Sequence, residues 1–252
     1  MIDGKPNFIL VPDTNARAVA PSRKIGAALF DRLRSLTAPA AAPLDFDAAP
    51  ASRPRLVFGF DATASREPAW AMARKVTDAL VKTLPGELDV ALAVHGGSRL
   101  HTFTEFTNDG RTLRDLAASI DCEAGHTRLL AILSGSLARP GVRVVTYIGD
   151  VYEESLRQGR KIADELGRRG IKLFVFHDIS DWNARRDAEV FLDLARRTGG
   201  CVLPFDASAP GRLRDLLAAV AVYAVGGAEL VHEKRAHLPG AVALLDHLRE
   251  ES

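Results

Sequence analysis

From Arg55 onward, short apolar runs alternate with longer segments of helical periodicity, and this alternation constrains the fold more than any other feature. "RLVFGFD" (55–61), "RVVTYIGD" (143–150), "IKLFVFHD" (171–178) and "CVLPFD" (201–206) read as buried strands. "LDVALAVHGGSRLHTFTEF" (88–106) reads as two strands joined at Gly96-Gly97, a hairpin signal. Between them lie helical patterns over 66–84, 110–120, 127–138, 153–170, 187–200 and 211–227. Pro68 is tolerated in a first helical turn. Gly170 ends its helix where a left-handed conformation costs least.

Strands alternating with helices imply an α/β fold: a doubly wound, mostly parallel six-stranded sheet with helices on both faces and right-handed crossovers. The expected strand order is 3-2-1-4-5-6, with the hairpin placing one antiparallel strand at an edge. Ligands in such sheets bind beyond the carboxyl ends of the first and fourth strands. Asp61 ends the first of these and Asp150 the fourth, so two carboxylates stand at the expected crevice.

The chain of 252 residues divides into an N-terminal extension and linker (1–54), the α/β domain (55–227) and a short helical tail (228–252). "TAPAAAPLDFDAAPASRP" has no hydrophobic period and reads as an extended linker. Upstream, Ile25, Leu29, Leu33 and Leu36 share one face of a candidate helix. A net charge of +1 argues against a nucleic-acid footprint. Two cysteines cannot build a disulfide framework, which suggests a reducing compartment. The N-terminus lacks the pattern of a secretory signal, and "LLAAVAVYAV" reads as too short to span a bilayer. A cytoplasmic protein with no membrane partner is expected.

The chemistry concentrates in three loops. Asp61, Thr63 and Ser65 alternate along "DATAS", so their oxygens can converge from one side. Thr127, in "CEAGHTRLL", adds a hydroxyl where a loop enters a helix, and Asp150 closes the set from the neighbouring strand. Magnesium takes six oxygens, with one or two carboxylates and neutral oxygens for the rest, so this donor set suits it. The bland reading makes Ser65 and Thr127 helix N-caps and the acids ordinary surface groups.

This pattern resembles the metal-ion-dependent adhesion site (MIDAS) of von Willebrand factor type A (vWA) domains, which carry D-x-S-x-S, a later Thr, and an Asp after the fourth strand. The similarity runs from about Arg55 to Gly227 and looks closest to stand-alone bacterial members reading "DATASR" and "GHT". The resemblance implies that Thr63 and Ser65 bind metal directly, while Asp61, Thr127 and Asp150 bind it directly or through water. It further implies magnesium, or manganese or calcium, with an open position taken by an acidic residue of a protein partner. A cytoplasmic ATPase or a multiprotein assembly is the kind of partner implied. Two departures stand out: Thr63 replaces a Ser, and Val151 follows Asp150 where Gly is frequent. His126, Val151 and Trp182 are expected at the partner rim, His126 as a hydrogen-bond donor that orders its loop. The module is not expected to be an enzyme.

The alternative is a phosphatase or phosphotransferase resembling haloacid dehalogenases, with Asp61 as nucleophile and "GDVYEE" as a later acidic motif. Thr63 stands where most such enzymes carry an acid, no Lys stands between the motifs in a context suited to the phosphoryl charge, and the helix before Asp150 carries only Arg128 and Arg139. A zinc or thiol site at Cys122 and His126 lacks a second ligand pair, and Cys201 reads as core. Glu153 and Glu154 are expected to begin a helix, where acids meet the positive end of the dipole, or else to make the rim acidic and tune partner choice. Ser134 and Ser136 lack the strand–turn–helix elbow of a nucleophile.

Overall fold

The computed structural model describes residues 53–63, 87–179, 186–205 and 210–250. Ser65, Trp70, Trp182, the helix expected over 66–84 and residues 1–52 of the extension lie outside the described residues.

Six strands form one sheet: β1 (Arg55–Asp61), β2 (Asp89–Gly96), β3 (Arg99–Phe103), β4 (Val142–Gly149), β5 (Lys172–Asp178) and β6 (Cys201–Phe205). Their order is β3-β2-β1-β4-β5-β6, as expected, and only the β2–β3 pair is antiparallel. The hairpin turns through Gly97 and Ser98, with φ of 53° and 65°, the left-handed pair that a two-residue loop requires.

Among the described residues the α-helices are α1 (Gly110–Ala118), α2 (Leu129–Leu137), α3 (Leu156–Arg168), α4 (Ala188–Thr198), α5 (Pro210–Lys234) and α6 (Ala241–Glu250). Alternation along β1 sorts its side chains between two cores. Leu56, Phe58 and Phe60 join α1, α5 and α6 on one face, while Val57 joins α2, α3 and α4 on the other. Full burial of each large apolar side chain contributes about 2 kcal/mol. Gly59 lets α2 close on the sheet, since a Cβ there would lie 3.3 Å from the Ile132 side chain and 2.9 Å from the Thr146 carbonyl.

Helix α5 corrects one expectation. By length and composition the stretch Gly211–His237 is apolar and long enough to cross a membrane, so "LLAAVAVYAV" understated it. Here Leu213, Leu217, Val220 and Ala224 are buried against the sheet, which makes this a core helix. It breaks at Gly227, whose φ of 68° is left-handed. Beyond the break Leu238, Ala241 and Leu244 return to the same apolar cluster.

Candidate metal centre

The site is built where the chain leaves β1. Asp61 is fully buried, and the Thr63 N–H donates to its Oδ1 at 2.9 Å, turning the backbone out of the sheet. Between them Ala62 donates to the His95 carbonyl at 2.7 Å and accepts from Glu123 N–H at 2.9 Å. Loop 121–128 is thereby stitched to the end of β1.

The hairpin holds that loop from its other side. Ser98 Oγ accepts the His126 N–H at 2.9 Å, and the Ser98 carbonyl accepts Arg128 Nε at 2.8 Å. Gly125 has φ of 156°, and a Cβ there would lie 2.4 Å from the Ser98 nitrogen. Only glycine permits this approach.

Across the cleft, the loop after β4 fixes Thr127. Glu153 N–H donates to Thr127 Oγ1 at 3.1 Å, and Thr127 N–H donates to Glu153 Oε2 at 2.9 Å. His126 Nδ1 lies 2.9 Å from Glu153 Oε1. Glu154 Oε2 accepts the Leu130 N–H at 2.8 Å and so caps α2, whose own N-cap residue, Arg128, makes no side-chain cap. Both glutamates therefore depart from expectation: neither begins a helix, and Ser155 is the N-cap of α3. Thr127 is not an N-cap either. Its hydroxyl accepts from a neighbouring loop.

The environments drive the two glutamates apart. Burial pushes Glu153 up, but hydrogen bonds from His126 and the Thr127 N–H, with the charges of His126 and Arg128, hold it below the usual range. Burial dominates at Glu154 and raises it despite the Leu130 N–H. Glu153 is thus the more firmly ionised partner of the loop.

Asp61, Thr63, Thr127, Asp150, Val151 and Glu153 line a cleft of about 320 Å³. Thr63, Thr127 and Asp150 retain 7%, 3% and 9% exposure, while Asp61 has none and forms the floor. Asp150 follows the last residue of β4, and its carbonyl lies 3.2 Å from His177 Nε2 on β5. His126 is exposed and is not among the described residues that line the cleft. The structure thus gathers four of the five anticipated oxygen-bearing residues, together with Val151, in one cleft. Ser65 and Trp182 lie outside the described residues.

Two buried histidines were not anticipated. His95 pairs in register with Asp61, and its Nδ1 lies 3.7 Å from Asp61 Oδ1. Its Nε2 lies 2.9 Å from the Tyr147 hydroxyl. Burial, reinforced by His101 and Arg128, lowers its pKa to about 3, so the imidazole is neutral. The signal was in the sequence: "ALAVHG" and "LFVFHD" each end an apolar strand on a histidine beside β1 or β4.

The chemistry of the donor set fits a hard divalent cation. Two carboxylates buried at the ends of neighbouring strands repel each other, a cost that a cation offsets. The hydroxyls supply neutral oxygens. No group of three or more His, Cys, Asp or Glu arranged to hold a metal occurs among the described residues. Cys122 packs beside one core and Cys201 is buried within it, so neither joins a thiolate site with His126. Arg128 is tied to Ser98, and Arg139 lies over the Phe103 ring at 3.5 Å. Neither cation lines the cleft.

No protein-family model and no curated protein matches the sequence. Solved structures do match in shape. A von Willebrand factor type A protein from Catenulispora acidiphila superposes with a TM-score of 0.55 at 13% identity, over 69% of this chain and 43% of that one. Proximal thread matrix protein 1 from the mussel byssus, with a zinc-occupied MIDAS motif, gives 0.54 at 11% identity, over 67% and 46%. The VWA domain of SpRpn10 gives 0.50 at 12% identity, over 64% of this chain and 95% of that one. This chain spans less than half of the first two proteins. At such identities the likeness establishes the fold, and the fold is that of a vWA domain.

Proposed function

We propose that this chain is a protein-interaction module whose cleft holds a magnesium-type cation and, through it, a carboxylate of a protein partner. The observation that carries the proposal is the meeting of Asp61, Thr63, Thr127 and Asp150, from three separate loops, at the carboxyl ends of β1 and β4. The zinc-occupied MIDAS of the mussel protein supports a divalent site in this fold. The ligands would be Thr63, Thr127 and Asp150 at the cleft wall, Asp61 at its floor, and Ser65 from the same loop as Thr63. Magnesium is the expected ion, with manganese or calcium as alternatives.

When bound, the ion supplies a hard positive centre that accepts an Asp or Glu oxygen. The chain's own residues do the rest. The Thr63 N–H orients Asp61, Glu153 holds Thr127 in place, Val151 lines the cleft, and His126 and Trp182 are proposed to meet the partner. A stand-alone bacterial module of this kind would act in the cytoplasm on an ATPase or a multiprotein assembly. Phosphoryl transfer by Asp61 would need cations for the phosphoryl charge, and the described lining residues include no Lys or Arg. The non-enzymatic reading is therefore preferred.

The test is thermal denaturation of wild type and Asp61→Ala with magnesium, manganese, calcium or chelator. A cation that binds only the folded state raises the melting temperature of wild type and not of the variant. An equal rise in both would place the ion elsewhere. Capture of partners in magnesium but not in chelator is the corresponding functional result.

A further inference from the structure

Behind Asp61, outside the cleft lining, lies a hydrogen-bonded pair that the interaction reading leaves unexplained. His95 and Tyr147 come from β2 and β4, the strands on either side of β1. Their rings stack with centroids 5.8 Å apart, and both side chains are fully buried. Phe191 packs against the tyrosine ring, with centroids 6.1 Å apart. Gly149 clears its near side, since a Cβ there would lie 2.5 Å from the ring. The tyrosine is therefore fixed, and its hydroxyl meets His95 Nε2 at 2.9 Å.

A neutral imidazole carries a single N–H, so this contact has two forms. If Nε2 holds the proton, it donates to Tyr147, and the Nδ1 lone pair then faces the Asp61 carboxylate at 3.7 Å, a repulsive contact. If Tyr147 donates its O–H to Nε2, the proton sits on Nδ1 and points its positive end at Asp61 Oδ1. Nδ1 is buried and makes no hydrogen bond among the described residues, so a misplaced lone pair there would find no relief from water. Electrostatics selects the second form. A distance of 3.7 Å is longer than a hydrogen bond, so the interaction is that of a dipole with a charge, and a small shift of either group closes it.

We propose that Tyr147 holds His95 as its Nδ1–H tautomer, and that this N–H, with the Thr63 N–H, positions Asp61 Oδ1 for the cation; the proposal rests on the metal-binding reading above. Both groups face the same carboxylate oxygen, the Thr63 N–H through a hydrogen bond and His95 through its dipole, which favours one rotation of the carboxylate. Partners of this kind orient metal ligands elsewhere, and their loss costs about 10- to 100-fold in metal affinity. His95 and Tyr147 are positioning residues, since neither lines the cleft.

Two measurements test this. Nitrogen-15 NMR of the metal-free wild type reads the tautomer directly: the expected spectrum has His95 Nδ1 protonated and Nε2 not. Titration with manganese then compares wild type, His95→Asn, His95→Gln and Tyr147→Phe, with the fold checked by circular dichroism. Asn places an amide N–H near the Nδ1 position and Gln near Nε2. The expected order is wild type, then Asn within a few-fold, then Gln and Tyr147→Phe weaker by roughly 10-fold or more. Should the His95 variants fail to fold, the wild-type spectrum and Tyr147→Phe still decide. A wild type that binds manganese but shows the Nε2–H form, or Asn and Gln variants that bind equally well, overturns the proposal and leaves the metal reading standing. A wild type that binds no divalent ion overturns both.

Discussion

Glu153 and Thr127 are bonded to each other twice: the Glu153 N–H donates to Thr127 Oγ1 at 3.1 Å, and the Thr127 N–H donates to Glu153 Oε2 at 2.9 Å. The two residues lie 26 positions apart, so this exchange closes the loop before α2 onto the loop after β4. It sets where the Thr127 hydroxyl sits without using the residue's core packing.

Glu153→Ala should therefore release Thr127 while leaving the sheet intact. Amide hydrogen exchange at Thr127 is expected to accelerate, and affinity for magnesium to fall by roughly 10-fold or more. Glu153→Gln keeps an acceptor for the Thr127 N–H, so it should retain much of the protection. Unchanged exchange in the alanine variant would mean that the loop is held by its hairpin contacts alone.

Glu154 acts on stability. Its carboxylate caps α2 from another loop, in place of the side chain that Arg128 does not supply. Glu154→Ala should cost about 1 kcal/mol, the usual worth of a cap, or a few degrees in melting temperature for a domain of this size. Urea denaturation measures it. Glu154→Gln should recover most of the loss, because an amide oxygen can still accept the Leu130 N–H.

Much of the architecture was legible because strand and helix periodicities differ, and "RLVFGFD" and "RVVTYIGD" admit few placements other than neighbouring central strands. The same logic set Asp61 and Asp150 side by side. Glu153 and Glu154 were misread because a pair of acids before a helical pattern looks like a first turn. Only the tertiary contact with Thr127 and Leu130, more than twenty residues away in sequence, gives them their work. His95 and Tyr147 escaped for a related reason, since a polar residue in an apolar strand shows its role only once the neighbouring strand is in register.

A pH test separates surface from site. Arg160 on α3 and Arg197 on α4 both grip Asp193, at 2.7 and 3.1 Å. Burial works to raise this carboxyl, but the two guanidiniums overcome it and hold it below the usual range. A carboxyl depressed in the folded state contributes stability above its unfolded pKa of about 4 and loses it as pH falls through the folded value. Asp193→Asn should therefore cost about 1 kcal/mol or less at neutral pH, given its solvent exposure. The gap to wild type should narrow as pH falls below that unfolded value. A gap that stayed constant with pH would assign the effect to packing.

Gly149→Ala probes the packing behind the cleft. The added methyl would meet the Tyr147 ring at 2.5 Å, so the ring or the backbone beside Asp150 must shift. Overpacking of this kind costs about 1–3 kcal/mol. The melting temperature should fall and magnesium should restore less of it than in wild type. Full restoration by magnesium would show that Tyr147 can move without disturbing the ligands.

The most direct test of the cleft as a metal centre is calorimetric titration of magnesium and manganese into wild type and Asp150→Asn. The amide keeps the shape of the carboxylate and removes its charge at the cleft wall, where Asp150 is 9% exposed. Expected is saturable binding of a single ion by wild type, weakened by roughly 10-fold or more in the variant, with the variant still folded. Binding of equal strength and stoichiometry in both proteins, or none in wild type, would contradict a cation held by Asp61, Thr63, Thr127 and Asp150.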